Sequence, residues 1–168
     1  MEHLVYCDSK AKELTKILNG EKSMLIRGAT GRKLPYGRVF PGETIYLIEN
    51  DGSGLIKAKG EILLVCNSDK LTLEESKQMI LDNMNKPKLT EAQIKRWSGK
   101  KYLCLVEIIN VTSIPPFTYE RAGNMDDWIN VESIENIRKE IQLFHTTMFQ
   151  IIGNSLKKGD KKKHLLPV

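Results

Sequence analysis

The stretch GEKSMLIR, residues 20–27, separates a helical pattern from an extended one. Before it, apolar residues at positions 11, 14, 17 and 18 fall on one face of a helix, and a glycine follows them as a helix stop. After the glutamate, side chains alternate between the two faces of a strand, and Leu25 and Arg27 share one of them. The sequence therefore predicts a helix over residues 9–19 and a strand over residues 22–27.

A loop and a β-hairpin follow. Residues 28–42, GATGRKLPYGRVFPG, contain four glycines, two prolines and no acid, a composition that excludes long regular structure. The next segment, TIYLIE at residues 44–49, has the composition of a strand. Turn residues NDGSG at 50–54 then join it to a second predicted strand near residues 55–65.

Two capping boxes predict two short helices, over residues 72–84 and 90–97, in one crossover between strands. In each box a threonine hydroxyl and a Glu or Gln side chain three residues later satisfy each other's exposed amides. The two pairs are Thr72 with Glu75 and Thr90 with Gln93.

Residues 101–112, KYLCLVEIINVT, predict a strand buried on both faces. Pro115 and Pro116 are expected to end it, because proline cannot donate to a strand ladder. Glu107 is the charge in its interior, and a buried carboxylate needs a partner. Arg27 is the candidate partner, and the alternative is that this face is partly exposed near a sheet edge.

The C-terminal third is predicted to add one long helix over residues 133–152, where apolar residues recur at steps of three and four. Residues 157–164 hold five lysines against one aspartate, a net charge of +4, which leaves +1 of the total +5 for the rest of the chain. We expect a first domain over residues 1–116, an extension over residues 117–155 whose helix packs on that domain, and a disordered basic tail over residues 156–168.

Length and composition restrict the function classes. A chain of 168 residues with 40% apolar content suits one globular domain. Its longest apolar run, five residues, is far below the roughly 20 that a membrane-spanning helix needs. Three widely spaced cysteines form neither a disulfide framework nor a CxxC site, and the first ten residues do not resemble a secretory signal. We therefore expect a cytoplasmic protein with no metal and no cofactor.

The order of these segments resembles the ASCH family, a branch of the PUA-like superfamily, over roughly residues 9–116. That family's signature is a glycine, a lysine two positions on, a glutamate five positions on and an arginine seven positions on. Gly20, Lys22 and Arg27 match it, whereas Leu25 stands in place of the glutamate. The resemblance implies an α+β fold, a mostly antiparallel β-barrel with peripheral helices, and a cleft beside the signature strand for RNA or a modified nucleoside.

Some ASCH enzymes are amidohydrolases on acetylated cytidine, and the resemblance places their catalytic lysine at Lys22. A lysine held in a cleft can lose its proton near neutral pH and act as a nucleophile or base. The polar group that would activate it falls at position 25, and Leu25 neither takes nor gives a proton. We therefore expect Lys22 to pair with a phosphate or a neighbouring acid.

Basic and aromatic side chains on the strand and the loop are the candidate nucleic-acid-binding residues. Cations contact phosphates, while an aromatic ring stacks on an unpaired base with about 1 to 3 kcal/mol per base. The alternative is that the cations are solvated loop residues and the aromatic rings pack on the barrel. The candidates are Lys22, Arg27, Arg32, Lys33, Tyr36 and Arg38.

Three functions remain open. The first, which we favour, is a non-enzymatic module that binds RNA or a modified nucleoside. The second is an amidohydrolase or ribonuclease with Lys22 as nucleophile or base, and the third is a protein-interaction unit that uses the helix over residues 133–152. We expect a monomer, with a weak dimer through that helix as the alternative. Trp128 is either a wall of a base pocket or an anchor for the C-terminal segment.

Overall fold

The computed structural model describes residues 1–121, 123 and 126–139. Within these residues the strands are β1 (Glu2–Cys7), β2 (Met24–Ala29), β3 (Thr44–Glu49), β4 (Leu55–Asn67), β5 (Tyr102–Tyr119), β6 (Trp128–Val131) and β7 (Arg138–Lys139). The helices are α1 (Glu13–Leu18), α2 (Leu73–Asp82) and α3 (Glu91–Trp97), and a 3-10 turn spans Ile134–Asn136.

The strands form one curled sheet in the order β2-β5-β4-β3-β1-β6, with β7 paired to β5. Strands β1 and β3 run parallel, and the other described pairs are antiparallel. The sheet is strongly curled and forms half a barrel. Helices α2 and α3 pack on one face of β2, and α1 packs on the apolar cluster at its other face. The predicted α+β class with a mostly antiparallel, barrel-like sheet is confirmed.

The β3–β4 hairpin and the two capped helices are confirmed, because the residues that cause each of them lie close together in the chain. The β3–β4 hairpin forms around the predicted turn. Both capping boxes are present: the Thr72 hydroxyl accepts from the Glu75 amide at 3.2 Å, and the Thr90 hydroxyl accepts from the Gln93 amide at 3.3 Å. These reciprocal bonds satisfy amides that the helices leave open, so each helix begins where predicted.

The alternation along β2 separates two apolar cores. Leu25 is fully buried inside the curl of the sheet, whereas Met24 and Ile26 pack beneath α2 and α3. A third cluster, around Tyr46 and Phe117, covers the other part of the sheet. Full burial of a leucine-sized side chain contributes about 1.5 to 3 kcal/mol, so β2 is held from both faces.

Two strand predictions are corrected. Strand β1, which was not predicted, is largely buried and lies between β3 and the edge strand β6. The predicted end of β5 at Pro115 and Pro116 is wrong, since the strand continues to Tyr119. Residues 114–116 fall in a break of the β4–β5 register, where no ladder bond requires a proline N–H. The expected domain boundary at residue 116 lies inside this strand.

The helix predicted from residue 133 is wrong over residues 133–139. Ile134 and Ile137 pack on the Tyr46 cluster from a single 3-10 turn, whose three-residue period suits their spacing. The chain then pairs with β5 as β7. The remainder of the predicted helix, residues 140–152, and the basic tail lie outside the described residues.

Helix α1 is shorter than predicted. It begins at Glu13 because Lys12 has a left-handed backbone, with φ of 51°. In the described part of the chain, no helix has the length and apolarity needed to cross a membrane.

Candidate functional site

Arg27, on β2, is a buried cation at the centre of the candidate site. Its Nη2 donates to the Tyr6 carbonyl at 2.7 Å, and its Nη1 donates to the Ile26 carbonyl at 2.9 Å. Its Nε lies 2.8 Å from Asp127 Oδ2, an ion pair. The carboxylate oxygen lies off the N–H direction, so the Nε–H makes no hydrogen bond within the described residues. The backbone contacts fix the orientation of the guanidinium.

Two indole rings flank this guanidinium. The Arg27 Cζ lies 5.9 Å from the ring centroid of Trp97 and 5.8 Å from that of Trp128. Both distances are within the range of cation–π attraction. Trp128 is buried in the core, and its Nε1–H points to His3 at 3.4 Å, so it anchors β6 as well as facing Arg27.

Two cavities meet at Arg27, Trp97 and Asp127, which line both of them. The larger, here called the central cavity, has a volume of about 270 Å³. The smaller, here called the loop cavity, has a volume of about 110 Å³ and lies against the basic loop. Besides the shared residues, the central cavity is lined by Tyr6, Cys7, Asp8, Ser9, Lys10, Glu13, Asn50, Gln93 and Arg96.

Lys22 is outside the lining of both cavities. Its ammonium lies 2.7 Å from Glu13 Oε1 and donates to the Pro87 carbonyl at 2.6 Å, and the residue is 2% exposed. Burial lowers the pKa of Lys22, and the attraction of Glu13 opposes that shift. The pairing with a neighbouring acid is the role we expected for this lysine.

Glu13, which was not among the residues predicted from the sequence, pairs with Lys22 and also lines the central cavity. Its Oε2 accepts from the Asp8 amide at 2.9 Å. Burial raises the pKa of Glu13, but the attraction of Arg27 and Lys22 and the hydrogen bonds outweigh it, so the pKa lies below its ordinary value. An acid nine residues before a lysine gives no sequence signal, because the pairing depends on the turn after α1, in which the Lys22 amide donates to the Lys16 carbonyl at 3.1 Å.

The basic loop, residues 28–42, contributes the side chains of Lys33, Leu34 and Tyr36 to the loop cavity. Lys33 pairs with Asp126 at 2.7 Å. The Tyr36 hydroxyl donates to the Ser68 carbonyl, and its ring packs edge-on against Tyr102 with centroids 5.5 Å apart.

Arg32 and Arg38 lie outside the lining of both cavities. The Arg32 Cζ lies 5.8 Å from the Tyr36 ring and 5.5 Å from the Tyr102 ring, so this cation covers the tyrosine pair. Arg38 is exposed, and its carbonyl accepts from the Asn130 side chain at 3.2 Å. The structure thus brings Arg27, Lys33 and Tyr36 together, places Arg32 beside them, and leaves Lys22 and Arg38 apart.

The cleft is balanced in charge. The central cavity has three cations in its described lining, Lys10, Arg27 and Arg96, and three acids, Asp8, Glu13 and Asp127. The Arg96 Nη1 pairs with Asp8 at 3.4 Å. Such a surface attracts phosphates weakly, but it offers many hydrogen-bond donors and acceptors to an uncharged ligand.

The partner predicted for Glu107 is wrong. Glu107 Oε2 accepts from the Lys86 ammonium at 2.7 Å, whereas Arg27 bonds to other groups. The register explains the error: β2 and β5 pair Glu107 with Met24, three residues away from Arg27.

Among the described residues that line the central cavity, no cysteine is activated as a nucleophile. Cys7 lines the central cavity, but burial raises the pKa of its thiol strongly, so the thiol stays neutral. In the described ranges, no three His, Cys, Asp or Glu side chains are grouped closely enough to hold a metal ion.

A third cavity, about 420 Å³, lies on the other side of Tyr6 and Asn50, and its described lining has no buried charged side chain.

Comparison with known proteins supports the fold. No protein-family model and no curated protein match the sequence. The solved structure of ASCH from Zymomonas mobilis matches with a TM-score of 0.53 and 13% identity, over 70% of this chain and 73% of that chain. Two substituted forms of that protein, Tyr-to-Phe and Ser-to-Ala, match with TM-scores of 0.53 and 0.54. The chain therefore has the ASCH-domain fold, a PUA-like barrel, as the signature residues predicted.

Proposed function

We propose that this chain is a non-enzymatic module that binds RNA or a modified nucleoside, with one base in the central cavity. The observation that carries the proposal is the position of Arg27, shared by two adjoining cavities and flanked by indole rings. Trp97 lines both cavities and offers a ring for stacking, a contribution of about 1 to 3 kcal/mol per base.

The size and charge of the cleft support a single base as the ligand. Small-molecule pockets have volumes of about 300 to 1,000 Å³. The central cavity, at about 270 Å³, is slightly smaller than this range, so it suits one flat polar group. Because its charges balance, recognition would rest on hydrogen bonds and stacking, while Arg32 beside the loop cavity supplies contact with a phosphate.

The hydrolase alternative has less support. Lys22 would have to attack a bound carbonyl, yet its ammonium is held by Glu13 and the Pro87 carbonyl behind the cavity wall. Leu25, at the position of the activating group, is fully buried in the core.

Fluorescence anisotropy with labelled single-stranded RNA tests the proposal. We expect salt-dependent binding that weakens in Arg32→Gln and is unchanged in Arg138→Gln. Arg138 is a matched control, since it also covers an aromatic ring, that of Phe117, but lies outside both cavities. Absence of binding to RNA and to nucleosides, or equal loss in both variants, would contradict the proposal.

A further inference from the structure

Gln93 has a side-chain amide donor that bonds to no protein group among the described residues. The residue is 4% exposed and lines the central cavity. Its Oε1 accepts from the Thr90 amide at 3.1 Å in the capping box of α3. Since a backbone amide can only donate, this bond fixes which end of the side-chain amide is oxygen. The Nε2 group is therefore left as a donor, and it bonds to no residue in the described part of the chain.

Because Gln93 lines the central cavity and its Nε2 donor has no partner among the described residues, a ligand atom can serve as the acceptor. The cavity wall is thus suited to a ligand with a carbonyl oxygen or a ring nitrogen at this point.

Two acidic side chains provide acceptors in the same cavity. Glu13 and Asp8 both line the central cavity, and the Asp8 amide donates to Glu13. A carboxylate has about four acceptor sites. Two of those on Glu13 are used, by Lys22 and by the Asp8 amide, which leaves capacity for two further N–H groups.

We propose that Gln93 and Glu13 recognise the Watson–Crick edge of a guanine in the central cavity, an inference that rests on the proposed function. The Gln93 amide donates to the guanine carbonyl oxygen, and the Glu13 carboxylate accepts from the ring N–H and the exocyclic amino group. Among the common bases, guanine alone presents one acceptor beside two donors on this edge. The ion pair with Lys22 keeps Glu13 charged and fixed in place.

The substitution Gln93→Glu isolates this contact. Glutamate at the third helical position still completes a capping box, as Glu75 does in α2, so the start of α3 is retained. The substitution replaces the amide donor with a carboxylate, which repels a carbonyl oxygen. The exchange Glu75→Gln is the matched control, because it makes the reverse change in an exposed capping box outside the cavity.

Anisotropy with the single-stranded RNA pentamers UUGUU, UUAUU, UUCUU, UUUUU and UUIUU, where I is inosine, tests the inference. The pentamer with guanine is expected to bind about tenfold to a hundredfold more tightly than those with adenine, cytosine or uracil. Inosine lacks the exocyclic amino group and should bind with intermediate affinity. Gln93→Glu should abolish the preference for guanine, and Glu75→Gln should preserve it.

The outcomes separate the inference from the proposed function. Binding of all five pentamers with equal affinity, or a preference for guanine that persists in Gln93→Glu, overturns base recognition by Gln93 and leaves the binding function intact. Failure of every pentamer and of the free nucleosides to bind overturns both.

Discussion

Replacement of Lys22 by methionine is expected to destabilise the fold rather than merely alter the cleft. Lys22 and Glu13 are 2% and 3% exposed, and their charged atoms lie 2.7 Å apart. Removal of one partner of a buried ion pair leaves an uncompensated charge and costs about 3 to 5 kcal/mol. Because domains are stable by about 5 to 15 kcal/mol, Lys22→Met should lower the urea midpoint of unfolding substantially with little change in slope.

Two further variants make this prediction specific. In Glu13→Gln/Lys22→Met both charges are absent, and the glutamine oxygen can still accept from the Asp8 amide, so most of the lost stability should return. Lys77→Met, which breaks an exposed pair with Glu74, should cost less than about 0.5 kcal/mol. If Lys22→Met unfolds at the wild-type midpoint, or the double variant recovers nothing, the ion pair does not hold this part of the fold.

The loss of stability in Lys22→Met should also depend on pH, which provides an independent test. In the native protein the pKa of Glu13 lies below its ordinary value, so the unfolded chain takes up the proton first as pH falls below about 4.3. Glu13 therefore stabilises the wild type above that pH, and the contribution disappears as pH falls through the folded pKa. Without Lys22, one of the two cations that oppose the effect of burial is lost, so the pKa of Glu13 should rise and its protonation should cost the folded variant less. The difference in stability should shrink between about pH 7 and pH 4, and a constant difference would contradict the reasoning.

Removal of charge at Arg32 or Arg38 should weaken RNA binding and reduce its dependence on salt, since fewer counterions are released; a salt titration of Kd measures this. Tyr36→Ala should weaken binding with little effect on that dependence, because stacking is not ionic, and unaltered affinity in all three variants would refute both expectations. Acetylated cytidine should undergo no more than trace hydrolysis by the unaltered protein; robust turnover that disappears in the folded double variant Glu13→Gln/Lys22→Met would establish the hydrolase alternative. Removal of residues 156–168 should leave the melting temperature nearly unchanged and reduce nonspecific RNA affinity, whereas a large loss of stability would show that the tail packs on the fold.

The sequence predicted those parts of the fold whose causes are local. Thr72 and Thr90 each begin a helix because the partner side chain lies three residues on. The β3–β4 hairpin follows from its five turn residues. The signature positions Gly20 and Arg27 predicted the ASCH-like barrel, because their spacing reflects the junction of α1 and β2.

The parts that could not be predicted depend on contacts between distant segments. Arg27 pairs with Asp127 across one hundred positions, and Glu107 bonds to Lys86 in the crossover. The position of Gln93 in the cavity lining could not be predicted for another reason. Its capping bond already accounts for a glutamine at this position, so the sequence did not indicate a second role beside a cavity.

The two tryptophans allow a direct test of the claim that a base enters the central cavity. With ¹⁵N labelling, the indole N–H groups of Trp97 and Trp128 give two resolved signals, assigned with Trp97→Phe. Trp97 lines the cavities on one side of Arg27, and Trp128 is buried on the other, bonded to His3. Titration with UUGUU should shift the Trp97 signal in a saturable way and move the Trp128 signal much less. Saturated binding that leaves the Trp97 signal unchanged would show that RNA binds elsewhere and would contradict the account.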